Sequence, residues 1–133
     1  IGGLLMLSKK YRKCGFVLTS TVLINSFTVN FVFKNIIRRP RPFVTYPEEK
    51  LITKKPVGYS FPSGHAVTSF AAATILTANN PIFGLATIPL ATLISFTRMY
   101  LFVHYPSDVA CGILIGIGTG ATAYNLQKKA YSK

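Results

Sequence analysis

Four long apolar stretches, separated by short polar segments, constrain this chain more than any other feature. They cover residues 16–37, about 63–78, 81 to about 103 and about 107–127. A helix needs roughly 20 apolar residues to cross a ~30 Å hydrocarbon core, and it satisfies its own backbone hydrogen bonds there. The sequence therefore predicts an all-α, integral-membrane helical bundle with about four transmembrane helices in this chain.

The charged residues lie at the ends of these stretches. The 133 residues include 15 Lys and Arg against 3 Asp and Glu, and the basic residues cluster at 9–13, 34–55 and 128–133. The pattern is typical of membrane helices with basic flanks. No basic stripe interleaved with aromatics occurs, so we expect membrane lipids and no nucleic acid as partners. Seven basic residues fall on one side of the predicted bundle and eight on the other, so the positive-inside rule does not decide the orientation of the bundle in the membrane.

The length suits a single membrane domain spanning residues 1–133. The chain does not start with Met, and "IGGLLML" is too short to cross a membrane. We interpret it as the end of an upstream helix, so further N-terminal helices are expected. Cys14 and Cys111 match no metal or redox spacing and are interpreted as small buried hydrophobic residues. Gly112, Gly116 and Gly120 are four residues apart and predict close helix packing.

If the chain crosses the membrane at each stretch, three polar clusters meet on one side. The first is Lys34-x6-Arg41-Pro42, within "KNIIRRPRP". The second is "PSGH" at residues 62–65, and the third is Arg98-x5-His104-x3-Asp108. Together they bring cations, imidazoles, a carboxylate and a helix N-terminus to one place.

This set of groups suits a phosphate group. Arg41 and Arg98 can form forked hydrogen bonds to phosphate oxygens, and Lys34 adds a point charge. The helix that starts after Pro62 presents free N–H groups and the positive end of its dipole, and Gly64 allows a close approach. The clusters therefore predict a phosphate-binding site.

The two histidines predict catalysis at this site. His104 with Asp108 is typical of a nucleophile and the carboxylate that orients it. His65 is then left to protonate the departing oxygen as a general acid. No Asp/Glu cluster could hold a divalent metal, and Glu48 and Glu49 are interpreted as solvated charges. We therefore expect a reaction without a metal or another cofactor.

With these clusters the chain resembles the type 2 phosphatidic acid phosphatase (PAP2) family. The signatures of that family read K-x6-RP, PSGH and SR-x5-H-x3-D. The first two match without change, and the third departs only at Thr97, which replaces serine but keeps a hydroxyl group. The resemblance covers residues 34–108 directly.

The resemblance implies a fold, a location and residue roles. It implies a PAP2/haloperoxidase-like bundle of six membrane helices in the plasma membrane, with the active site near the extracytoplasmic face. His104 would be the nucleophile that forms a phosphohistidine, Asp108 would orient it, and His65 would be the general acid. The implied phosphate-binding residues are Lys34, Arg41, Ser63, Gly64 and Arg98.

The leading hypothesis is a metal-independent phosphatase that acts on a membrane lipid phosphate or pyrophosphate. Phosphatidic acid, phosphatidylglycerol phosphate and undecaprenyl pyrophosphate remain open as substrates. One alternative is a non-catalytic protein that binds or transports lipid phosphates, although pure binding does not require His65, His104 and Asp108. The other is a vanadate-dependent haloperoxidase, which shares the motifs but resembles soluble proteins.

Other polar residues receive simpler interpretations. Asn25 and Asn30 are expected to form hydrogen bonds between helices, and Ser63 is expected to cap its helix. Tyr100 and Tyr105 are expected to be interfacial aromatics. The remaining basic residues near the motifs are expected to be interfacial anchors: Arg38, Arg39, Lys50, Lys54 and Lys55.

Overall fold

Helices dominate the chain in the computed structural model, which describes residues 2–48, 51 and 53–131. Glu49 and Lys50 lie outside these described residues. No strand occurs within the described ranges, and the predicted all-α fold is confirmed. The elements are α1 (Gly2–Leu7), α2 (Arg12–Phe27), a π-helical segment (Thr28–Phe33), α3 (Lys34–Ile37), α4 (Pro42–Thr45), α5 (Gly64–Asn79), α6 (Pro81–Tyr100) and α7 (Pro106–Tyr131).

The first long helix combines three of these elements. α2, the π-helical segment and α3 follow one another without a break, from Arg12 to Ile37. Arg38 then takes a left-handed conformation with φ of 50°, which ends the helix. π-helical turns inside α-helices are rare overall, but those that occur are often found at functional sites. This one directly precedes Lys34.

Among the described residues, three stretches are long and apolar enough to cross a membrane, judged by length and composition: Arg12–Thr45, Pro81–Tyr100 and Pro106–Ala130. Large apolar side chains on these helices are exposed, as at Leu85, where the exposed fraction is 79%. Such faces match a hydrocarbon solvent, and the chain is an integral membrane protein. α5 has only 16 residues, about 24 Å at 1.5 Å per residue, so a fourth crossing stays a prediction.

The close packing predicted for the α7 glycines is confirmed. α5 lies at the centre of the bundle and packs against α2, α6 and α7. A Cβ atom added at Gly112 would lie 2.8 Å from the carbonyl oxygen of Ser63, and one at Gly116 would lie 2.5 Å from that of Val67. The same holds at Gly120, 2.8 Å from the carbonyl oxygen of Ala71. Because no side chain fits there, the backbones of α5 and α7 are in direct contact.

Apolar and polar contacts fasten α2 to its neighbours. Cys14 is buried in a cluster with Leu18 of α2 and with Ile75 of α5, as predicted for this cysteine. Cys111 is only half-buried. The Asn25 amide donates to the Thr119 hydroxyl at 2.9 Å, which confirms the predicted bond between helices.

Candidate active site

The three sequence clusters converge at one end of the bundle, around a cavity of about 270 Å³. The convergence that the topology predicted is therefore present. Ser63 and Asp108 do not line this cavity but are fully buried beside lining residues Gly64 and His104. The lining residues are Ser26, Asn30, Lys34, Arg41, Pro56, Gly64, His65, Thr68, Arg98, Val103 and His104.

Arg41 lies at the base of the site and is only 4% exposed. Its Nε donates to the carbonyl oxygen of Gly58 and its Nη1 to that of Val103, each at 2.9 Å. Nη1 also lies 3.4 Å from Nε2 of His104. These contacts fix the plane of the guanidinium group, and Nη2 makes no hydrogen bond to the described residues. Arg41 therefore joins two loops of the site and keeps donors for an anion.

His104 and Asp108 face each other across one helical turn. Nδ1 of His104 lies 3.6 Å from Oδ2 of Asp108, and Oδ2 accepts a hydrogen bond from the Tyr105 backbone N–H at 2.9 Å. Nδ1 has no closer partner among the described residues. A proton on Nδ1 would face the carboxylate, which leaves the Nε2 lone pair on the side of Arg41 and the cavity.

The surroundings of His104 favour its neutral form. Burial lowers the pKa of the His104 imidazole, the nearby Asp108 carboxylate raises it in part, and the Arg41 cation lowers it further. The net direction is below the ordinary histidine pKa of about 6.5. At neutral pH the ring therefore carries an unprotonated nitrogen that can act as a nucleophile.

The N-terminus of α5 carries Ser63, Gly64 and His65. Ser63 occupies the predicted N-cap position of α5, but its side chain forms no cap bond with the helix. Instead, its Oγ is buried and has no hydrogen-bond partner among the described residues. Burying a hydroxyl group without a hydrogen-bond partner costs free energy of folding. Such a group is expected where a ligand supplies the missing hydrogen bond. His65 is exposed on the cavity wall.

Arg98 lies in the last turn of α6, and its backbone binds the loop that leads to His104. Its carbonyl oxygen accepts from the backbone N–H groups of Val103 at 3.3 Å and of His104 at 3.2 Å. Its side chain makes only a long contact, 3.4 Å from Nη2 to the Thr97 hydroxyl, and its Nε is buried without a partner in the described part of the chain. The guanidinium group is therefore free to bind an anion in the cavity.

Lys34 is held by its own helix. Its Nζ donates to Oδ1 of Asn30 at 2.8 Å, and the amide of Asn30 donates to the carbonyl oxygen of Ser26 at 2.9 Å. The predicted role of Asn30 between helices is therefore wrong, because both of its bonds stay within one helix. Asn30 belongs to the π-helical segment and lines the cavity with Lys34.

Arg39 was expected to be an interfacial anchor, and this expectation is wrong. Its Nη1 donates to Oδ1 of Asp108 and to Oγ of Ser107, each at 2.7 Å, and its guanidinium carbon lies 4.0 Å from the ring centroid of Tyr105. Arg39 is thus an ion partner of the buried carboxylate. In sequence its only distinguishing feature is a position two residues before Arg41, on the same loop.

Within the described ranges, no three His, Cys, Asp or Glu side chains come close enough together to hold a metal ion. Positive charge at the cavity comes instead from Lys34, Arg41 and Arg98, together with the start of α5. This donor set suits a phosphate oxyanion.

A family model described as the PAP2 superfamily matches residues 13–132 of this chain. The chain belongs to the PAP2 superfamily. This confirms the resemblance carried by the three motifs.

Several characterised proteins resemble this PAP2 chain. An undecaprenyl-diphosphatase of Sulfolobus acidocaldarius is 35% identical over 117 residues, which is 87% of this chain and 56% of that protein. A decaprenylphosphoryl-5-phosphoribose phosphatase of Mycobacterium tuberculosis is 37% identical over 95 residues, which is 68% of this chain and 49% of that protein. This chain thus spans about half the length of these relatives.

The fold of this PAP2 chain also occurs in a solved structure. It matches a transmembrane PAP2-type phosphatidylglycerolphosphate phosphatase of Bacillus subtilis with a TM-score of 0.78 and 22% sequence identity. The match covers 96% of this chain and 65% of that one. The two proteins therefore share the membrane-helix bundle.

Proposed function

We propose that this PAP2 chain removes a phosphate group from a membrane lipid phosphate or diphosphate, through a phosphohistidine formed at His104. One observation carries the proposal: Nε2 of His104 lies beside a fixed arginine on a cation-lined cavity, while Nδ1 faces a buried carboxylate. A site that only binds phosphate needs the cations but not this oriented imidazole.

In the bound complex, the phosphate oxygens would accept hydrogen bonds from groups that have no partner among the described residues. Nη2 of Arg41 and Nε of Arg98 are two such donors, and the Ser63 hydroxyl is a third. The first N–H groups of α5 and the Lys34 ammonium add further positive potential. These groups are in place before the substrate binds, so they can stabilise the charge of the transition state with little reorganisation.

In the first step, Nε2 of His104 attacks phosphorus and forms a P–N bond. The P–O bond to the leaving group breaks, and this group is the lipid for a monophosphate or the lipid phosphate for a diphosphate. The departing oxygen takes a proton from protonated His65 on the cavity wall. The positive charge that develops on the His104 ring is stabilised by Asp108 at 3.6 Å. The dephosphorylated lipid then leaves.

In the second step, water restores the enzyme. His65, now neutral, takes a proton from a water molecule whose oxygen attacks the phosphohistidine. The P–N bond breaks, its electron pair returns to Nε2, and inorganic phosphate is released. Both steps use the same charge-stabilising groups, because each passes through a five-coordinate phosphorus.

The names of the relatives guide the choice of substrates for a test. Two relatives are named for polyprenyl-linked phosphates, one for undecaprenyl diphosphate and one for a decaprenylphosphoryl-phosphoribose. We therefore place polyprenyl phosphates and diphosphates first, followed by phosphatidic acid and phosphatidylglycerol phosphate.

The test is phosphate release by the detergent-purified protein across this panel, with EDTA present. We expect turnover that survives chelation and falls at least about 10³-fold in His104→Ala. Lys54→Ala is the matched control, because Lys54 is exposed and does not line the cavity. Its turnover should stay within about twofold of the wild type.

The other outcomes are equally informative. Binding without turnover, by a folded protein, would favour a non-catalytic lipid-phosphate protein. Equal losses in His104→Ala and Lys54→Ala would contradict the proposed nucleophile. Trapping of an acid-labile phosphoryl group on wild-type protein, absent from His104→Ala, would support the covalent step.

A further inference from the structure

The two oxygens of the Asp108 carboxylate have different partners. It is fully buried, and its Oδ2 faces His104 and accepts the Tyr105 N–H. Its Oδ1 is bound by Nη1 of Arg39 at 2.7 Å, the shortest contact this carboxylate makes among the described residues. The position of Oδ2 relative to His104 therefore depends on how Oδ1 is held.

Arg39 is itself held on several sides. The same Nη1 donates to the Ser107 hydroxyl at 2.7 Å, and the guanidinium carbon lies 4.0 Å from the ring centroid of Tyr105. The Tyr105 hydroxyl donates to the Thr45 hydroxyl at 2.9 Å. The contact between a guanidinium cation and an aromatic ring is favourable. A planar cation that is already fixed in this way loses little further conformational entropy when it binds a carboxylate.

A buried carboxylate without a cation would be unstable in this environment. Removing one partner of a buried ion pair leaves an uncompensated charge, which is more costly than the pair itself. The carboxylate could then rotate, or be neutralised, and would no longer present an ionised Oδ2 to His104. Arg39 does not line the substrate cavity, so its effect on the reaction would pass through Asp108.

We propose that Arg39 is a positioning residue, which fixes the Asp108 carboxylate and thereby the tautomer and basicity of His104. It would determine the rate of the chemical step without contacting the substrate. This inference rests on the proposed phosphatase function for its kinetic test, although not for its spectroscopic test.

The kinetic test compares Arg39→Gln with Arg38→Gln in the detergent-purified protein. In Arg39→Gln, kcat should fall about 10- to 100-fold while KM stays within about twofold, since only the orientation of the nucleophile changes. Arg38→Gln should retain both values, because the Arg38 side chain is exposed and, among the described residues, donates only to the carbonyl oxygen of Asn35. Arg39→Lys should recover part of kcat, since it keeps the charge but loses the planar fork.

A double-mutant cycle with Asp108→Asn separates a positioning role from general destabilisation. If Arg39 acts through Asp108, adding Arg39→Gln to Asp108→Asn should lower kcat by less than about threefold. The double variant also leaves no unpaired buried charge, so it provides a folded protein if Arg39→Gln alone does not fold. Losses that multiply would overturn the inference.

The spectroscopic test does not require turnover. The chain has two histidines, so ¹⁵N-histidine labelling gives two imidazoles, which His65→Ala assigns. At alkaline pH, wild-type His104 should show the proton on Nδ1, and Arg39→Gln should show exchange between tautomers. Arg38→Gln should match the wild type.

The two tests distinguish the possible failures. A wild-type protein without phosphatase activity would contradict the proposed function, and the ¹⁵N spectra would then decide the role of Arg39 alone. An unchanged His104 spectrum in Arg39→Gln would overturn the inference even in an active enzyme. A raised KM with unchanged kcat would also overturn it, because that result would make Arg39 a substrate contact.

Discussion

The backbone N–H of Ser63 donates to the backbone carbonyl oxygen of Asp108 at 3.0 Å. This bond joins the N-terminal end of α5 to the first turn of α7, and so joins the proposed phosphate-binding residues Ser63 and Gly64 to the His104–Asp108 pair. One turn further along α7, Gly112 lies directly under Ser63, where an added Cβ would be 2.8 Å from its carbonyl oxygen. The absence of a side chain at Gly112 therefore sets the distance between the two halves of the candidate site.

We predict that Gly112→Ala impairs activity and stability together. The methyl group would push α5 away from α7, and overpacking of this kind costs about 1–3 kcal/mol. We expect kcat to fall at least about tenfold, with a lower melting temperature in detergent. Gly118→Ala is the matched control, since a Cβ there would have no described neighbour within 4 Å. A Gly112→Ala variant with wild-type turnover would show that this contact does not position the site.

We predict a different result for Ser63→Ala. Its hydroxyl group makes no bond in the described structure, so its removal should leave the melting temperature unchanged or slightly raised. A hydrogen bond to a charged phosphate contributes about 1.5–3 kcal/mol, so kcat/KM should fall roughly 10- to 100-fold. Steady-state kinetics and thermal unfolding of the same preparation measure both quantities.

Ser95→Ala provides the control for Ser63→Ala. Ser95 also has a buried Oγ without a partner in the described part of the chain. Neither of its sequence neighbours lines the cavity, whereas Ser63 directly precedes the lining residue Gly64. Its substitution should change neither kinetics nor stability appreciably. If both serine variants lost activity equally, the unpartnered hydroxyl group of Ser63 would not be evidence of a phosphate contact.

The all-α fold and the convergence of the clusters could be predicted from sequence because both depend on long-range patterns. Helix length and polarity placed Lys34, His65 and His104 at one end, and the glycine spacing on α7 predicted its close contact with α5. Such patterns depend on the periodicity of the helix and on the cost of polar groups in hydrocarbon, which local details do not alter.

The roles of individual side chains in the loops could not be predicted in this way. Arg38, Arg39 and Arg41 are chemically alike and nearly adjacent, yet Arg38 is exposed, Arg39 binds Asp108 and Arg41 is buried. The left-handed conformation of Arg38, with φ of 50°, ends the long helix, so Arg39 and Arg41 lie beyond the helical repeat that would have fixed their direction. A non-glycine residue rarely takes this conformation, so composition gives no sign of it.

We predict that His104 titrates below the ordinary histidine range. Burial lowers its pKa, so its neutral form should persist below about pH 6.5. Asp108 raises the pKa of His104, so Asp108→Asn should move the midpoint to still lower pH. An NMR titration, with the imidazole signals assigned through His65→Ala, measures the His104 midpoint in the wild type and in Asp108→Asn. A midpoint that rises in Asp108→Asn would contradict the contact between Nδ1 and the carboxylate.

The last prediction concerns Asn30, whose Oδ1 accepts a hydrogen bond from the Lys34 ammonium at 2.8 Å. Asn30→Ala would release Lys34 from its fixed direction, so KM for a lipid phosphate should rise several-fold, with a smaller change in kcat. Asn35→Ala is the control, because Asn35 donates to the carbonyl oxygen of Phe31 in the same i−4 pattern but does not line the cavity. Steady-state kinetics of the two variants measure the difference. Equal effects would mean that these amides act only on helix stability, whereas a rise in KM confined to Asn30→Ala would support a role for the π-helical segment in aiming Lys34 at the substrate.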